Sequence, residues 1–134
     1  RTAEEIKIQV GSSLPVLDAA PKDFVVQGPN QMTALPIEVP VSYKEIAHCL
    51  EKSLSKIDAA ILSALEQTPP ELYADIVKNG IWLAGGGSLL RGLDKRLSVK
   101  LGIPFNIADD PLRAVVRGTG IALKNVDKFS FLIR

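Results

Sequence analysis

Cysteine, histidine, methionine and tryptophan each occur once in the 134 residues. The lone Cys49 excludes an internal disulfide and suits a reducing compartment. With one histidine and one cysteine, a zinc site of the usual ligands cannot be assembled. A Ser-His-Asp or Cys-His apparatus would have to use His48 and Cys49, adjacent residues that point to different faces of a helix. Nucleophilic catalysis by protein groups alone is therefore not expected. Charge is balanced, at 16 Lys and Arg against 15 Asp and Glu, and no basic run is clustered, so no nucleic-acid partner is expected. No apolar run approaches the roughly 18 residues that cross a bilayer, and the opening residues lack the pattern of a signal peptide. Apolar side chains are plentiful at 46%, enough to bury one core, as a single domain or two closely joined subdomains.

The most informative stretch is IWLAGGGSLLRGLDKRL, Ile81 to Leu97. An apolar run leads into Gly85, Gly86 and Gly87, and Ser88 then precedes an amphipathic segment carrying Leu89, Leu90, Leu93 and Leu97. The pattern predicts strand, glycine turn and helix, with Ser88 as N-cap. Consecutive glycines are entropically costly and persist where the backbone needs positive φ or where another group must come close. Two readings stay open: a tight βα turn, or a ligand surface at the positive end of a helix. The spacing fits neither the dinucleotide fingerprint nor a P-loop.

The chain starts at Arg1 in a helical pattern, with Thr2 and Glu5 spaced as a capping box, Ile6 and Val10 apolar, and Gly11 as a stop. That abrupt start reads as a piece of something larger. Glu4 and Lys7 share one helix face, and by themselves amount to a solvated ion pair worth roughly 0.2–0.5 kcal/mol. Between Ser12 and Pro40, five prolines forbid helix; a strand near Phe24 to Gln27, a turn at Gly28 to Asn30 and a strand with Ile37, Val39 and Val41 predict a hairpin with its prolines at edges or bulges.

Ser42 and Glu45 then cap the longest helix, whose stripe of Ile46, Leu50, Leu54, Ile57, Ile61 and Leu65 reads as core, with His48 and Cys49 idle. Thr68 and Glu71 predict a further box opening a helix that ends at Asn79 and Gly80. After Gly102, Pro104 to Ala108 predicts a strand, and Asp110 with Pro111 the start of a last helix. Gly118 and Gly120 within it predict close backbone packing. Phe129, Phe131 and Leu132 predict an apolar tail. The succession is a βαβα unit, in which ligands collect outside the carboxyl ends of the strands, where Gly85 to Ser88 would lie.

Three segments, RTAEEIKIQVGS, TPPELYADIVKNGIWLAGGGSLLRGLDKRL and GIPFNIADDPLRAVVRGTGIALKN, resemble the carboxyl-terminal part of the MreB family, bacterial rod-shape-determining actin homologues, in order and spacing. The resemblance implies an α/β fold: a partial domain of an actin-like, ribonuclease-H-like ATPase, with a βαβα core and a small inserted β-rich subdomain. It divides the chain into a helix bordering the nucleotide (1–11), the β-rich insert (12–41), the helices and adenosine-motif subdomain (42–125) and a tail (126–134). By the same resemblance, Glu4 and Lys7 grip the ribose and border the base, and the backbone of Gly85, Gly86, Gly87, Ser88 and Leu89 passes against the nucleoside. Arg113 is a further candidate for the far side of the base.

The implied cofactor is ATP or ADP with Mg2+ in the intact parent, whose phosphate loops and Mg2+-holding residues belong to segments this chain does not contain. The fragment alone is thus not expected to hydrolyse ATP. The implied partners are other copies of the protein in a filament and, through the parent, the cytoplasmic membrane face and cell-wall elongation proteins. The alternatives are another actin-superfamily ATPase, such as a chaperone or a plasmid-segregation filament, and an interaction module that binds no nucleotide.

Overall fold

The computed structural model describes residues 2–130. Helix α1 (Thr2–Val10) buries one residue, Val10, and ends at Gly11. Strands β1 (Phe24–Pro29) and β2 (Pro36–Val41) form an antiparallel hairpin in register Phe24 to Val41 through Pro29 to Pro36. With only two strands, every position is an edge position, so Pro29, Pro36 and Pro40 break no central ladder. The turn lies beyond the expected Gly28 to Asn30: Asn30 Oδ1 accepts from the Met32 amide at 2.8 Å, and the Leu35 carbonyl accepts from the Asn30 amide at 2.8 Å.

Helix α2 (Tyr43–Glu66) starts with the predicted box, Ser42 and Glu45 each bonding the other's backbone. Leu54 and Leu65 are buried, whereas Ile57 is 47% exposed and leaves the expected stripe; Tyr43, Ala47 and Asp58 are buried instead. The box predicted at Thr68 and Glu71 is not formed. Thr68 Oγ1 donates back to the Ala64 carbonyl at 2.8 Å, finishing α2, and helix α3 (Pro70–Asn79) starts at Pro69 with no side-chain cap. Gly80, at φ 77°, turns the chain into strand β3 (Ile81–Leu83).

Strand β3 pairs in parallel with β4 (Phe105–Ile107), Ile81 opposite Phe105 and Leu83 opposite Ile107. Between them lie a 3-10 turn (Gly86–Leu89) and helix α4 (Leu93–Leu101). Ser88 therefore does not cap the helix. Its hydroxyl donates to the Gly85 carbonyl at 2.7 Å and tightens the turn, and Gly92, at φ 75°, is the residue from which α4 starts. The last helix, α5 (Ala114–Lys124), also starts later than expected, because Asp110 takes φ 50° and closes a separate turn by accepting from the Arg113 amide at 3.0 Å.

The core joins Leu54 and Leu65 of α2, Leu93 and Leu97 of α4, and Ile103 with Phe105, and packs Ile76, Ile81 and Leu83 against them. Helix α5 buries none of its residues, and a side chain at Gly118 or Gly120 would meet open space. The close packing expected of these glycines is not made by any described residue. Phe129 is half-buried, and the expected tail residues Phe131 and Leu132 lie outside the described residues. Among the described residues no helix is long and apolar enough to cross a membrane.

Candidate functional site

The loops that follow the two parallel strands meet: the Gly85 amide donates to the Pro111 carbonyl at 2.8 Å. Leu112, the next residue, is thereby brought over the 3-10 turn. On the other side, α1 is held near the same turn through its end. The Ser13 amide donates to the Arg91 carbonyl at 2.9 Å, and Ser12 and Ser13 are 0% and 1% exposed.

Between these elements lies a cavity of about 700 Å³. Its walls include Glu4 and Lys7 from α1, Gly86, Gly87 and Leu89 from the turn, and Leu112 opposite; Leu50, Leu54 and Ile57 of α2 add an apolar side. Five of the residues singled out in the sequence thus share one space. Gly85 and Ser88 do not line it. They shape the loop instead, Gly85 by its φ of 81° and Ser88 by its inward hydroxyl bond, with the Ser88 side chain buried. Arg113 is not among the lining residues and lies 3.8 Å from Asp110 in an exposed ion pair.

The glycines separate by cause. Gly85 needs its freedom for a left-handed backbone. Gly86 and Gly87 have no such φ; a Cβ on Gly87 would meet nothing within 4 Å, and one on Gly86 only Leu112 Cδ2 at 3.4 Å. Neither chain conformation nor internal packing accounts for these two, and what they leave is bare peptide facing the cavity.

Glu4 and Lys7 pair at 2.7 Å with side chains 61% and 49% exposed, so the pair is wet and its polar ends are open to a ligand. A carboxylate accepts from hydroxyls, a lysine stem covers a flat ring while its charge stays in water, and bare peptide planes admit an aromatic base. The donor set fits a nucleoside. No group of three or more His, Cys, Asp or Glu side chains that could hold a metal ion is gathered among the described residues.

The reading of the sequence missed Arg91, Leu112 and the contribution of α2. Leu50 and Leu54 belong to the core that their spacing predicts and line the cavity as well, whereas Ile57 is half-exposed beside it; periodicity does not distinguish a residue that packs inward from one that lines a cleft next to the core. Leu112 had no local signal, because the contact between the loops after β3 and β4 brings it there.

The chain is similar to known proteins over nearly its whole length. The family described as MreB/Mbl protein matches residues 1–131. The cell shape-determining protein Mbl of Bacillus subtilis is 41% identical over 128 residues, covering 96% of this chain and 38% of the relative. The cell shape-determining protein MreB of Escherichia coli is 42% identical over 126 residues, covering 94% and 36%. MreB5 of Spiroplasma citri, solved in crystals bound to ADP, superposes with a TM-score of 0.85 at 37% identity over 95% of this chain and 38% of that one. The same protein bound to AMPPNP gives 0.84. The chain spans under two-fifths of the length of these relatives.

Proposed function

Because this chain belongs to the MreB/Mbl family of actin-like, cell shape-determining cytoskeletal proteins, we propose that it forms one side of an adenine-nucleotide cleft. Glu4 accepts from ribose hydroxyls, Lys7 lays its stem along the base, and Gly86, Gly87 and Leu89 give the base a bare peptide wall. Gly85 and Ser88 belong to the same loop as its shaping residues. The observation that carries this reading is that Gly86 and Gly87 are glycines with no internal reason to be so and face the cavity that Glu4 and Lys7 also line. That a relative of 37% identity binds ADP and AMPPNP supports it.

In the intact parent, segments outside this chain would supply the phosphate loops and hold Mg2+, and ATP hydrolysis would depend on them. The parent would assemble with copies of itself into filaments at the cytoplasmic membrane face and direct cell-wall synthesis with elongation proteins. Residues 1–11, 12–41, 42–125 and 126–134 would then serve as the nucleotide-bordering helix, the inserted subdomain, the adenosine-motif subdomain and the tail. Family membership replaces the chaperone and plasmid-segregation alternatives. The remaining alternative, a module that binds no nucleotide, is separated by titrating the intact parent with ATP. Glu4→Ala is expected to weaken binding about tenfold, as loss of a charged hydrogen bond does. Unchanged affinity would leave the module as the better account.

A further inference from the structure

Arg91 follows the 3-10 turn by two residues, and its side chain reaches to the far end of α1. Its Nη1 donates to the Ile8 carbonyl at 3.3 Å and to the Gly11 carbonyl at 3.2 Å. The last carbonyls of a helix have no intrahelical partner and carry the negative end of its dipole, so a guanidinium is a favourable cap there. The backbone of Arg91 is held by the same segment, its carbonyl accepting from the Ser13 amide at 2.9 Å and from Ser13 Oγ at 3.0 Å. Gly11 must stay bare for this fit, since a Cβ there would run into the Lys7 carbonyl and lie 3.1 Å from Leu90 Cδ1.

These bonds join the two sides of the cavity that Arg91 itself helps to line. One side is the turn with Gly86 and Gly87; the other is α1, which buries only Val10 and so has little packing of its own to set its position. We infer that Arg91 is a positioning residue for the nucleoside: a strut that sets the distance and pitch of α1 against the glycine turn, and thereby how well the Glu4 carboxylate meets the ribose. The inference rests on the nucleotide reading above. Acting through the helix that it holds, Arg91 should affect sugar discrimination more than binding at large.

The test uses the intact parent and compares affinities for ATP, 2′-deoxy-ATP and 3′-deoxy-ATP, with thermal unfolding as a check on folding. Arg91→Met, which keeps the stem and removes the donors, is expected to weaken ATP about fivefold, on the scale of one hydrogen bond, while the deoxy analogue that wild type binds more weakly changes less than about twofold. Arg91→Lys, which restores a cation at the helix end, should recover most of the preference for ribose. If Arg91→Met does not fold, Arg91→Gln, too short to reach both carbonyls, is read in the same way. Equal loss for all three nucleotides, or a preference unchanged from wild type, overturns the strut. Glu4→Ala separates the two levels: if it abolishes the ribose preference while Arg91→Met leaves it intact, only the strut is wrong. If Glu4→Ala changes nothing, the nucleotide reading falls and the strut with it.

Discussion

The guanidinium of Arg96 donates from Nη2 to Asp58 Oδ2 at 2.9 Å, with side chains only 5% and 11% exposed, and so fastens α4 to α2 through a buried ion pair. Around it, Arg96 forks onto both carboxylate oxygens of Glu51 at 2.6 and 2.8 Å and donates to the Ser13 carbonyl at 3.3 Å. Lys100 reaches the same Asp58 oxygen at 2.7 Å. Charges this far from water are tolerated only with partners. The cluster also ties the segment after α1 to the core, behind the candidate site.

Arg96→Met should therefore destabilise the fold by about 3 kcal/mol, the lower end of the range for orphaning a buried charge, because Lys100 still answers Asp58. Urea unfolding measures it. Arg96→Met combined with Asp58→Leu should recover much of that loss, since no buried charge is then left alone. A double variant less stable than the single one would contradict this account.

The same cluster sets the acid limit. The Arg96 hydrogen bond pulls the Glu51 carboxyl down from its ordinary 4.5 to about 2. At Asp58 burial is the largest influence and pushes upward, but the bonds from Arg96 and Lys100 together outweigh it and the group ends below its usual range. Both carboxyls bind protons less readily when folded than when unfolded. For Glu51 the stability contributed is thus complete above about pH 4.5 and is lost as pH falls towards about 2, and Asp58 acts in the same direction. Glu51→Gln should flatten the fall in unfolding free energy across that window, measured by urea titration at successive pH values.

Two left-handed glycines bracket α4 and should respond differently to alanine. At Gly92, with φ 75°, the new Cβ would sit 2.8 Å from Leu14 Cδ1; at Gly102, with φ 67°, it would meet nothing within 4 Å. Gly102→Ala should cost only the backbone strain, about 1–2 kcal/mol. Gly92→Ala should cost more, because Leu14 must also move. Equal midpoints in thermal unfolding would show that the Leu14 contact carries no weight.

Gly87→Val tests the cavity apart from the fold. Its side chain would enter space that no described residue occupies, so the unfolding temperature of the parent should move little. On the proposed reading, the affinity for adenine nucleotide should fall by about tenfold or more, because the branched side chain would take the space proposed for the base. A drop in stability with affinity preserved would mean that the site lies elsewhere.

Much of the fold was legible because its signals are local. The Ser42–Glu45 box, the α2 repeat of apolar residues, the stop at Gly11 and the alternation around Val39 each express a backbone preference that needs no distant partner. The misreadings have one character. Ser88, Thr68 and Asp110 are all good capping residues, yet Ser88 and Thr68 bond backward to Gly85 and Ala64, and Asp110 adopts a left-handed turn. A short polar side chain can close the structure behind it as readily as open the one ahead, and only the path of the chain in space selects between them.

Which residues are present and how they are spaced was enough to give the order of elements and the family. Tertiary structure alone decided that Glu4 and Gly87, 83 positions apart in the chain, line one cavity, that Arg91 spans it, and that Gly86 and Gly87 are bare without internal cause. These are distances between segments joined by no local rule. They are set by how α1, α2 and the loops after β3 and β4 pack together, which no periodicity records.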